Sequence, residues 1–245
     1  MFNIIKKKYY NLTNIGKPKF TCSICGYNGP FLDINPRTGY RKYCRCPICN
    51  SYERHRLQKL VLDKFFKNID TSSMKTLHFA PEKFFRNYFK EISSQYITVD
   101  LLMDNIDINC DMRNLPFKDN EFDFVYASHV LEHIDDDIKA LTEVKRILKS
   151  NGIAILPIPV VNDFTVKYEK PNPHESGHVR APGKDYFERY KKIFSCVNLY
   201  RSSDFPEIYQ TYLYEDRSQY PNEISPYRKP YYEQRYDDIV PVCIS

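Results

Sequence analysis

Two short cysteine motifs near the amino terminus have the spacing of metal-binding knuckles. Each reads Cys-x-Ile-Cys, and twenty residues separate the two. Gly26 follows the first motif and Asn50 the second, and both residue types tolerate the positive φ that lets a chain turn sharply back toward a metal. The predicted ligands are Cys22, Cys25, Cys46 and Cys49.

Four thiolates in this arrangement favour a tetrahedral Zn²⁺ site of ribbon type. A closed set of four ligands leaves no coordination position for a substrate, so we expect a structural metal that stabilises a small module. Cys44 lies two residues before Cys46. It is an alternative ligand, although its spacing fits the knuckle less well.

A pair of carboxylates carries the second candidate chemistry. Asp100 and Asp111 each end a short apolar run. In an open α/β sheet, ligands bind outside the carboxyl ends of the strands, where carboxylates can accept hydrogen bonds from a nucleotide-like ligand. Either aspartate taken alone is better explained as a helix or turn cap. Their joint spacing favours ligand contact.

Alternating strands and helices must position these carboxylates. The pattern predicts α/β architecture with a mostly parallel sheet. A zinc-ribbon module is expected over residues 1–55 and the α/β domain over residues 56–245. Predicted strands span residues 75–80, 96–100, 105–109, 122–126, 153–157 and 194–200, with helices over 51–66, 81–91, 136–149 and 186–192 and a final edge strand over 238–244.

A series of motifs follows the landmark order of a known family. They are Leu77-His78-Phe79-Ala80-Pro81-Glu82, Asp100, Asp111-Met112 with Leu115-Pro116-Phe117, Phe122-Asp123, His129-Val130-Leu131-Glu132-His133 and Leu148-Lys149-Ser150-Asn151-Gly152. The series resembles the class I S-adenosylmethionine-dependent methyltransferases, most closely those of type 11. The lead-in from Cys46 to Arg56 resembles a subgroup with an amino-terminal zinc-binding segment. The resemblance implies a Rossmann-like, mostly parallel sheet with an antiparallel last strand, preceded by a small zinc ribbon.

The resemblance also implies a set of cofactor contacts. Asp100 would accept hydrogen bonds from the ribose hydroxyls, with Leu101 beside it. Asp111 and Met112 would contact the adenine. The methionine moiety would lie against Ser128 and His129. In place of the family's glycine-rich loop stand His78, Ala80, Pro81 and Glu82. Either the cofactor is approached differently there, or its binding is weakened or lost.

Histidines supply the candidates for acid–base chemistry. A base is needed only where the methyl acceptor must lose a proton. We predict His178 and His129 as catalytic candidates, and His174, His178 and Arg180 as substrate contacts, because their segment follows the fifth predicted strand. For His178 and Arg180, a structural salt-bridge and hydrogen-bond cluster is an equally good interpretation.

Charge and composition limit the remaining functions. Residues 1–60 hold twelve Lys or Arg against two Asp or Glu, whereas the whole chain carries a net charge of +5. This basic front predicts either RNA binding or a solvated lysine-rich face. No apolar run is long enough for a membrane span, so a cytoplasmic protein is expected. The tyrosine-rich tail after residue 200 would line a substrate site or pack on the sheet.

The sequence thus predicts a zinc-ribbon methyltransferase that uses S-adenosylmethionine. A small-molecule or sugar-like acceptor is preferred, with RNA second. The alternative is a catalytically silent methyltransferase-like module whose basic ribbon recognises nucleic acid or a protein partner.

Overall fold

The computed structural model describes Tyr10, residues 12–36 and residues 39–245. The basic run at Lys6–Lys8 lies outside the described residues, as do Arg37 and Thr38. The strands are β1 (Phe20–Thr21), β2 (Asn28–Gly29), β3 (Leu32–Ile34), β4 (Arg41–Arg45), β5 (Lys75–Phe79), β6 (Gln95–Asp100), β7 (Ile108–Asn109), β8 (Phe122–Ala127), β9 (Leu148–Ile155), β10 (Val166–Asn172), β11 (His178–Ala181), β12 (Cys196–Arg201), β13 (Tyr214–Glu215) and β14 (Ile239–Ile244). The longer helices are α1 (Glu53–Phe66), α2 (Lys83–Ile92), α3 (Asp137–Ile147) and α4 (Phe187–Ile193).

The chain forms two compact units. The first contains residues 1–67, 201–220 and 230–238, and the second contains residues 68–200, 221–229 and 239–245. The first unit is larger than the module expected over residues 1–55, because α1 and two segments of the tail belong to it. Neither addition follows from the cysteine spacing, which specifies only the two knuckles.

Two small antiparallel arrangements build the first unit. Strands β1 and β2 pair on either side of the first cysteine motif. Strands β3, β4 and β13 form a second sheet with β4 in the centre, and β4 leads directly into the second motif. The tyrosine-rich tail therefore supplies a strand to the zinc module. Tyr43 and Tyr214 pack edge to face across this sheet, with ring centroids 5.5 Å apart.

A seven-stranded sheet organises the second unit. Its strand order is β7-β6-β5-β8-β9-β14-β12. The pairs from β7 through β9 are parallel, whereas β14 runs antiparallel to β9. The predicted mostly parallel α/β sheet with an antiparallel last strand is thereby confirmed. The carboxyl ends of β5, β6 and β8 lie side by side, which is where the predicted cofactor residues begin.

Several predicted boundaries were wrong by a few residues, the last strand was wrongly expected at the edge of the sheet, and one strand pair was missed. Strand β14 lies inside the sheet between β9 and β12, so it is not the expected edge strand. Its run of five consecutive buried residues is typical of a strand covered on both faces. Helix α3 ends at Ile147, two residues earlier than predicted, and Leu148 already belongs to β9. The antiparallel β10–β11 pair occupies a segment that the sequence indicated only as a loop.

The second unit has one large apolar core. Residues of β5, β8 and β9 contribute fully buried side chains, as do Leu141, Val144 and Ile147 on one face of α3. In the described part of the chain, no helix is both long enough and apolar enough to cross a membrane.

Candidate functional site

The four predicted metal ligands converge. The sulfurs of Cys22, Cys25, Cys46 and Cys49 all lie within 4.8 Å of one another. The Cys22 and Cys49 sulfurs are 3.6 Å apart, and those of Cys25 and Cys46 are 3.7 Å apart. A tetrahedron with Zn–S bonds of about 2.3 Å has sulfurs about 3.8 Å apart, so the donor set fits Zn²⁺ closely.

The two knuckles have the same backbone geometry. Gly26 and Asn50 have φ of 69° and 64°. Their amide groups donate to the carbonyls of the first cysteine in each motif, at 2.9 Å for Cys22 and 3.0 Å for Cys46. The positive φ predicted for both positions is confirmed, and it is the reason that each pair of sulfurs faces inward.

Cys44 does not belong to this donor set. Its thiol is buried and donates a hydrogen bond of 2.9 Å to Glu53. Burial, together with the neighbouring Glu53 charge, raises the pKa of the Cys44 thiol. Cys44 therefore remains protonated and points to α1, which leaves Cys46 as the ligand of the second knuckle.

Arg56 is a buried cation that sequence reasoning did not single out. Its side chain is fully buried, 4.3 Å above the ring of Phe31. The guanidinium donates to the carbonyls of Cys44 and Ser51 at 3.0 and 3.1 Å, and to that of Gln210 at 2.8 and 3.0 Å. One side chain thus joins the second knuckle to the tail segment, which explains why residues 201–220 belong to the first unit.

A cavity of about 370 Å³ opens at the carboxyl ends of β5, β6 and β8. Six of the predicted cofactor residues lie in its wall. They are Ala80, Asp100, Leu101, Asp111, Met112 and His129. Phe79, Leu102, Cys110, Val130, His133 and Ile134 complete the lining. The volume lies within the range of about 300–1,000 Å³ that is usual for small-molecule sites.

Ala80 adopts a backbone conformation that normally belongs to glycine. Its φ is +43°, and its amide donates to the carbonyl of Val99 at 2.9 Å. A side chain in this left-handed region costs about 1–2 kcal/mol. The first-strand loop therefore turns as a glycine-containing loop would, with alanine providing the smallest side chain that still carries a Cβ.

The carboxylates of Asp100 and Asp111 both line the cavity, but they have different hydrogen-bond donors. Asp100 uses Oδ1 to accept from the amides of Leu102 and Met103, at 2.8 and 2.9 Å. Asp111 accepts from the guanidinium of Arg113 through both oxygens, at 2.6 to 3.1 Å. Those hydrogen bonds from Arg113 lower the pKa of Asp111, so its carboxylate is charged at neutral pH. A ligand at Asp111 shares the carboxylate with Arg113.

Four predicted cofactor contacts lie outside the cavity wall. His78 is fully buried on the other face of β5, where Nδ1 lies 2.8 Å from the hydroxyl of Tyr96. Burial lowers the pKa of His78 to about 3. Glu82 serves as the N-cap residue of α2 and Pro81 precedes it. Ser128 is buried at the end of β8. None of these four residues lines the cavity.

The histidines surround one buried carboxylate. Glu132 is fully buried, and among the described residues its oxygens accept no hydrogen bond of good geometry. Nδ1 of His129 lies 3.2 Å from Oε1, and Nε2 of His178 lies 4.0 Å from it. The rings of His133 and His178 meet edge to face, with centroids 4.8 Å apart. Burial lowers the pKa of His178, so its imidazole is neutral near pH 7.

Arg180 holds the loop after β8 instead of facing either cavity. Its guanidinium donates to the carbonyls of Leu131 and Ile134, both at 2.6 Å, and to that of Asp135 at 3.0 Å. It also pairs with the buried Asp137 at 3.5 Å. Of the two interpretations open for Arg180, the structure favours the salt-bridge and hydrogen-bond cluster.

A second cavity of about 400 Å³ adjoins the first. The two share four lining residues, Leu101, Asp111, His133 and Ile134. The rest of its wall comes from Arg113, Asp135, Val179 and residues 167–171 of β10. His174 is exposed on a short turn between β10 and β11 and lines neither cavity. His178 reaches the cavities only through its contact with His133.

Comparison with known proteins identifies the segment that carries this cavity. The type 11 methyltransferase family model, described as a methyltransferase domain, matches residues 83–156. The match runs from α2 to the end of β9 and includes Asp100, Asp111 and His129. The resemblance to type 11 methyltransferases is confirmed over this segment.

Curated proteins that match part of this chain include an uncharacterized protein and a named enzyme. An uncharacterized protein of Methanocaldococcus jannaschii is 33% identical over 118 residues, which cover 45% of this chain and 52% of the relative. A demethylmenaquinone methyltransferase of Staphylococcus carnosus is 44% identical over 54 residues, or 22% of each chain. The chain therefore spans about half or less of the length of these curated relatives.

A solved methyltransferase illustrates the likeness in three dimensions. The SAM-dependent methyltransferase of Archaeoglobus fulgidus superposes with a TM-score of 0.49 at 13% identity, covering 76% of this chain and 92% of that one. The fold assignment follows from the strand order and directions of the sheet itself.

Proposed function

We propose that this protein is an S-adenosylmethionine-dependent methyltransferase whose cofactor binds in the 370 Å³ cavity. The observation that carries the proposal is the placement of Asp100 and Asp111 in one cavity wall, at the carboxyl edge of the sheet. Ala80 supports it, because the first-strand loop already has the left-handed turn that the family builds with glycine. When bound, the cofactor supplies an electrophilic methyl group on a sulfonium sulfur.

The proposed cofactor contacts follow the cavity wall. Asp100 would accept the ribose hydroxyls through Oδ2, since Oδ1 is already bonded to the following loop. Asp111 would accept the adenine amino group beside Arg113, because each carboxylate oxygen has two lone pairs. The buried Met112 would lie against the adenine ring.

Binding of S-adenosylhomocysteine, measured by calorimetry, tests the proposal. Removing the charge in Asp100→Asn weakens a charge-assisted hydrogen bond worth about 1.5–3 kcal/mol, so we expect the Kd to rise about 10- to 100-fold. Asp104→Asn is the matched control, because Asp104 lies exposed in the same loop and does not line the cavity. No binding by the wild-type chain at high micromolar ligand would instead support the catalytically silent module.

We also propose that the acceptor occupies the second cavity. It adjoins the cofactor cavity at Leu101, Asp111, His133 and Ile134, so a bound molecule could approach the methyl group directly. Its volume of about 400 Å³ suits a small molecule. RNA stays the second candidate acceptor because of the basic residues 1–60. Incubation with labelled cofactor and separate metabolite and RNA pools distinguishes the two by where the label appears.

His129 is the stronger of the two catalytic candidates. It lines the cofactor cavity, whereas His178 lies behind His133. If the acceptor must lose a proton, His129 could accept it while Glu132, 3.2 Å away, orients its ring. Its φ of +56° makes His129→Asn the suitable test, because asparagine tolerates that conformation. Full turnover by this variant would remove His129 from the mechanism.

The zinc ion is proposed as a structural component of the first unit. The four-cysteine geometry supports this assignment, as does Ser51, whose Oγ lies 3.3 Å from the sulfur of Cys22 and 3.1 Å from that of Cys49. A closed thiolate set of this kind binds metal without offering it to a substrate.

A further inference from the structure

The loop between β8 and α3 carries a buried carboxylate whose charge the described structure does not balance with hydrogen bonds. Glu132 is fully buried, and among the described residues its oxygens accept no hydrogen bond of good geometry, although Nδ1 of His129 lies 3.2 Å from Oε1. An isolated buried carboxylate costs several kcal/mol, so buried charges are paired or coordinate metals. The ionisable groups near this carboxylate are imidazoles, at 3.2 Å for His129 and 4.0 Å for His178, and this arrangement points to a cation that completes the site.

Two imidazoles are placed to share that cation. Ligand atoms of Glu132, His133 and His178 all lie within 4.8 Å of one another. The Glu132 oxygen and the His178 nitrogen are 4.0 Å apart. When three ligand atoms each bind one ion at about 2.0–2.2 Å, they lie about 3.0–3.6 Å from one another. Side-chain shifts of about 1 Å would therefore bring these three residues into coordination distance of a common ion. His133 is exposed, which gives its ring the freedom to make that shift.

We propose that Glu132, His133 and His178 form a second metal site, which takes a divalent first-row transition ion. Two imidazoles and one carboxylate are the donors that suit Zn²⁺, Fe²⁺, Co²⁺ or Mn²⁺, whereas Mg²⁺ and Ca²⁺ prefer oxygen alone. The remaining coordination positions are open to water or ligand.

The residues around Glu132 and His133 could hold these two ligands in place. His129 lies 3.2 Å from the same carboxylate oxygen, where it can act as an outer partner that holds a ligand in place. Arg180 fixes the loop backbone at Leu131 and Ile134, on both sides of Glu132 and His133. His133 also lines both cavities, so the ion would border the acceptor, a consequence that rests on the proposed function.

Metal stoichiometry and calorimetry test the site without any activity assay. The full chain is prepared with one zinc per molecule, confirmed by elemental analysis, and is then titrated with Co²⁺ alone. We expect one further equivalent to bind, with an absorption spectrum that lacks the sulfur charge-transfer bands of a thiolate site. Glu132→Gln and His133→Ala should each weaken that second equivalent at least tenfold.

His174→Ala is the matched control, because this exposed histidine lies outside the cluster, and it should leave the second equivalent unchanged. A chain that binds no second equivalent, or one whose second equivalent survives Glu132→Gln, would overturn the proposal. Binding of S-adenosylhomocysteine is measured on the same samples. Its loss with the second equivalent intact would count against the proposed function and leave the metal site standing.

Discussion

At the residue scale, Ala80 shows how a loop without glycine can make a glycine-type turn. Its φ of +43° places a Cβ where glycine is usual, beside the cavity at the end of β5. The sequence showed that glycine was absent there but could not say which backbone conformation had been kept. The conformation is held by the amide of Ala80, which donates to Val99 on the neighbouring strand.

Replacing Ala80 with glycine tests whether the left-handed backbone at this position is strained. We expect Ala80→Gly to change the free energy of unfolding by less than about 1 kcal/mol, because strain relief offsets the greater entropy of the unfolded chain. Ala140→Gly, in α3, should cost at least about 1 kcal/mol. Urea unfolding of both variants measures the contrast, and equal losses would show that Ala80 is unstrained.

His78 gives the chain a pH-dependent stability. Its pKa is about 3 when folded because burial disfavours the charged ring, whereas an unfolded histidine titrates near 6.5. Between these values the unfolded state binds more protons, so stability is present above pH 6.5 and is lost as the pH falls toward 3. The expected loss is about 2 kcal/mol between pH 7 and pH 5.

Urea unfolding at a series of pH values checks this expectation. His78→Phe preserves an aromatic ring among Phe89 and Tyr126, which contact His78 edge to face, and it should remove that part of the pH slope. His174→Asn provides the comparison, since His174 is exposed. If the free energy of unfolding depends on pH equally in the two variants, the buried His78 is not the source of the pH dependence.

At the element scale, Arg180 connects strand β11 to the loop that carries Glu132 and His133. Its three hydrogen bonds to carbonyls add to the backbone hydrogen bonds of the short 3-10 helix Leu131–His133. Asp137, at the start of α3, lies between Arg180 and Arg189. The arginine thus fixes the cavity wall through backbone groups.

Removing this connection should be costly. We expect Arg180→Met to lower the free energy of unfolding by about 3–5 kcal/mol, because it leaves buried carbonyls and part of the Asp137 charge unpaired. Arg189→Met should cost about 1 kcal/mol or less, since that side chain is 35% exposed. Denaturant unfolding of the two variants compares them, and similar losses would contradict the positioning function of Arg180.

At the scale of the whole molecule, the two compact units contain different sites. The four-cysteine cluster belongs to the first unit, and every residue that lines the two cavities described above belongs to the second. A structural metal contributes folding energy directly to the unit that holds it.

Loss of zinc should therefore unfold the first unit. We expect Cys46→Ser to lose the metal and much of the structure measured by circular dichroism, because three thiolates no longer close the site. Cys44→Ser removes a buried thiol two residues before Cys46 and should retain one zinc per chain, as elemental analysis would show. Zinc retained by Cys46→Ser at wild-type stoichiometry and stability would show that the cluster is not the metal site.

The sequence by itself determined what depends on local spacing. Cysteine motifs predicted the four converging sulfurs, because two knuckles with left-handed followers leave few other geometries. Apolar periodicity predicted the order of strands and helices, and the ends of β6 and β7 identified Asp100 and Asp111. These features each depend on a few neighbouring residues.

Only the tertiary structure decided which distant residues meet. Strand β14 enters the middle of the sheet, Arg56 bonds to Gln210, and Glu132 lies buried among histidines from two segments. The same tertiary packing carries Arg180 away from the cavities and His78 into an aromatic core. The physical reason is that burial and long-range pairing depend on how whole strands and helices pack. A pattern of neighbouring residues does not contain that information.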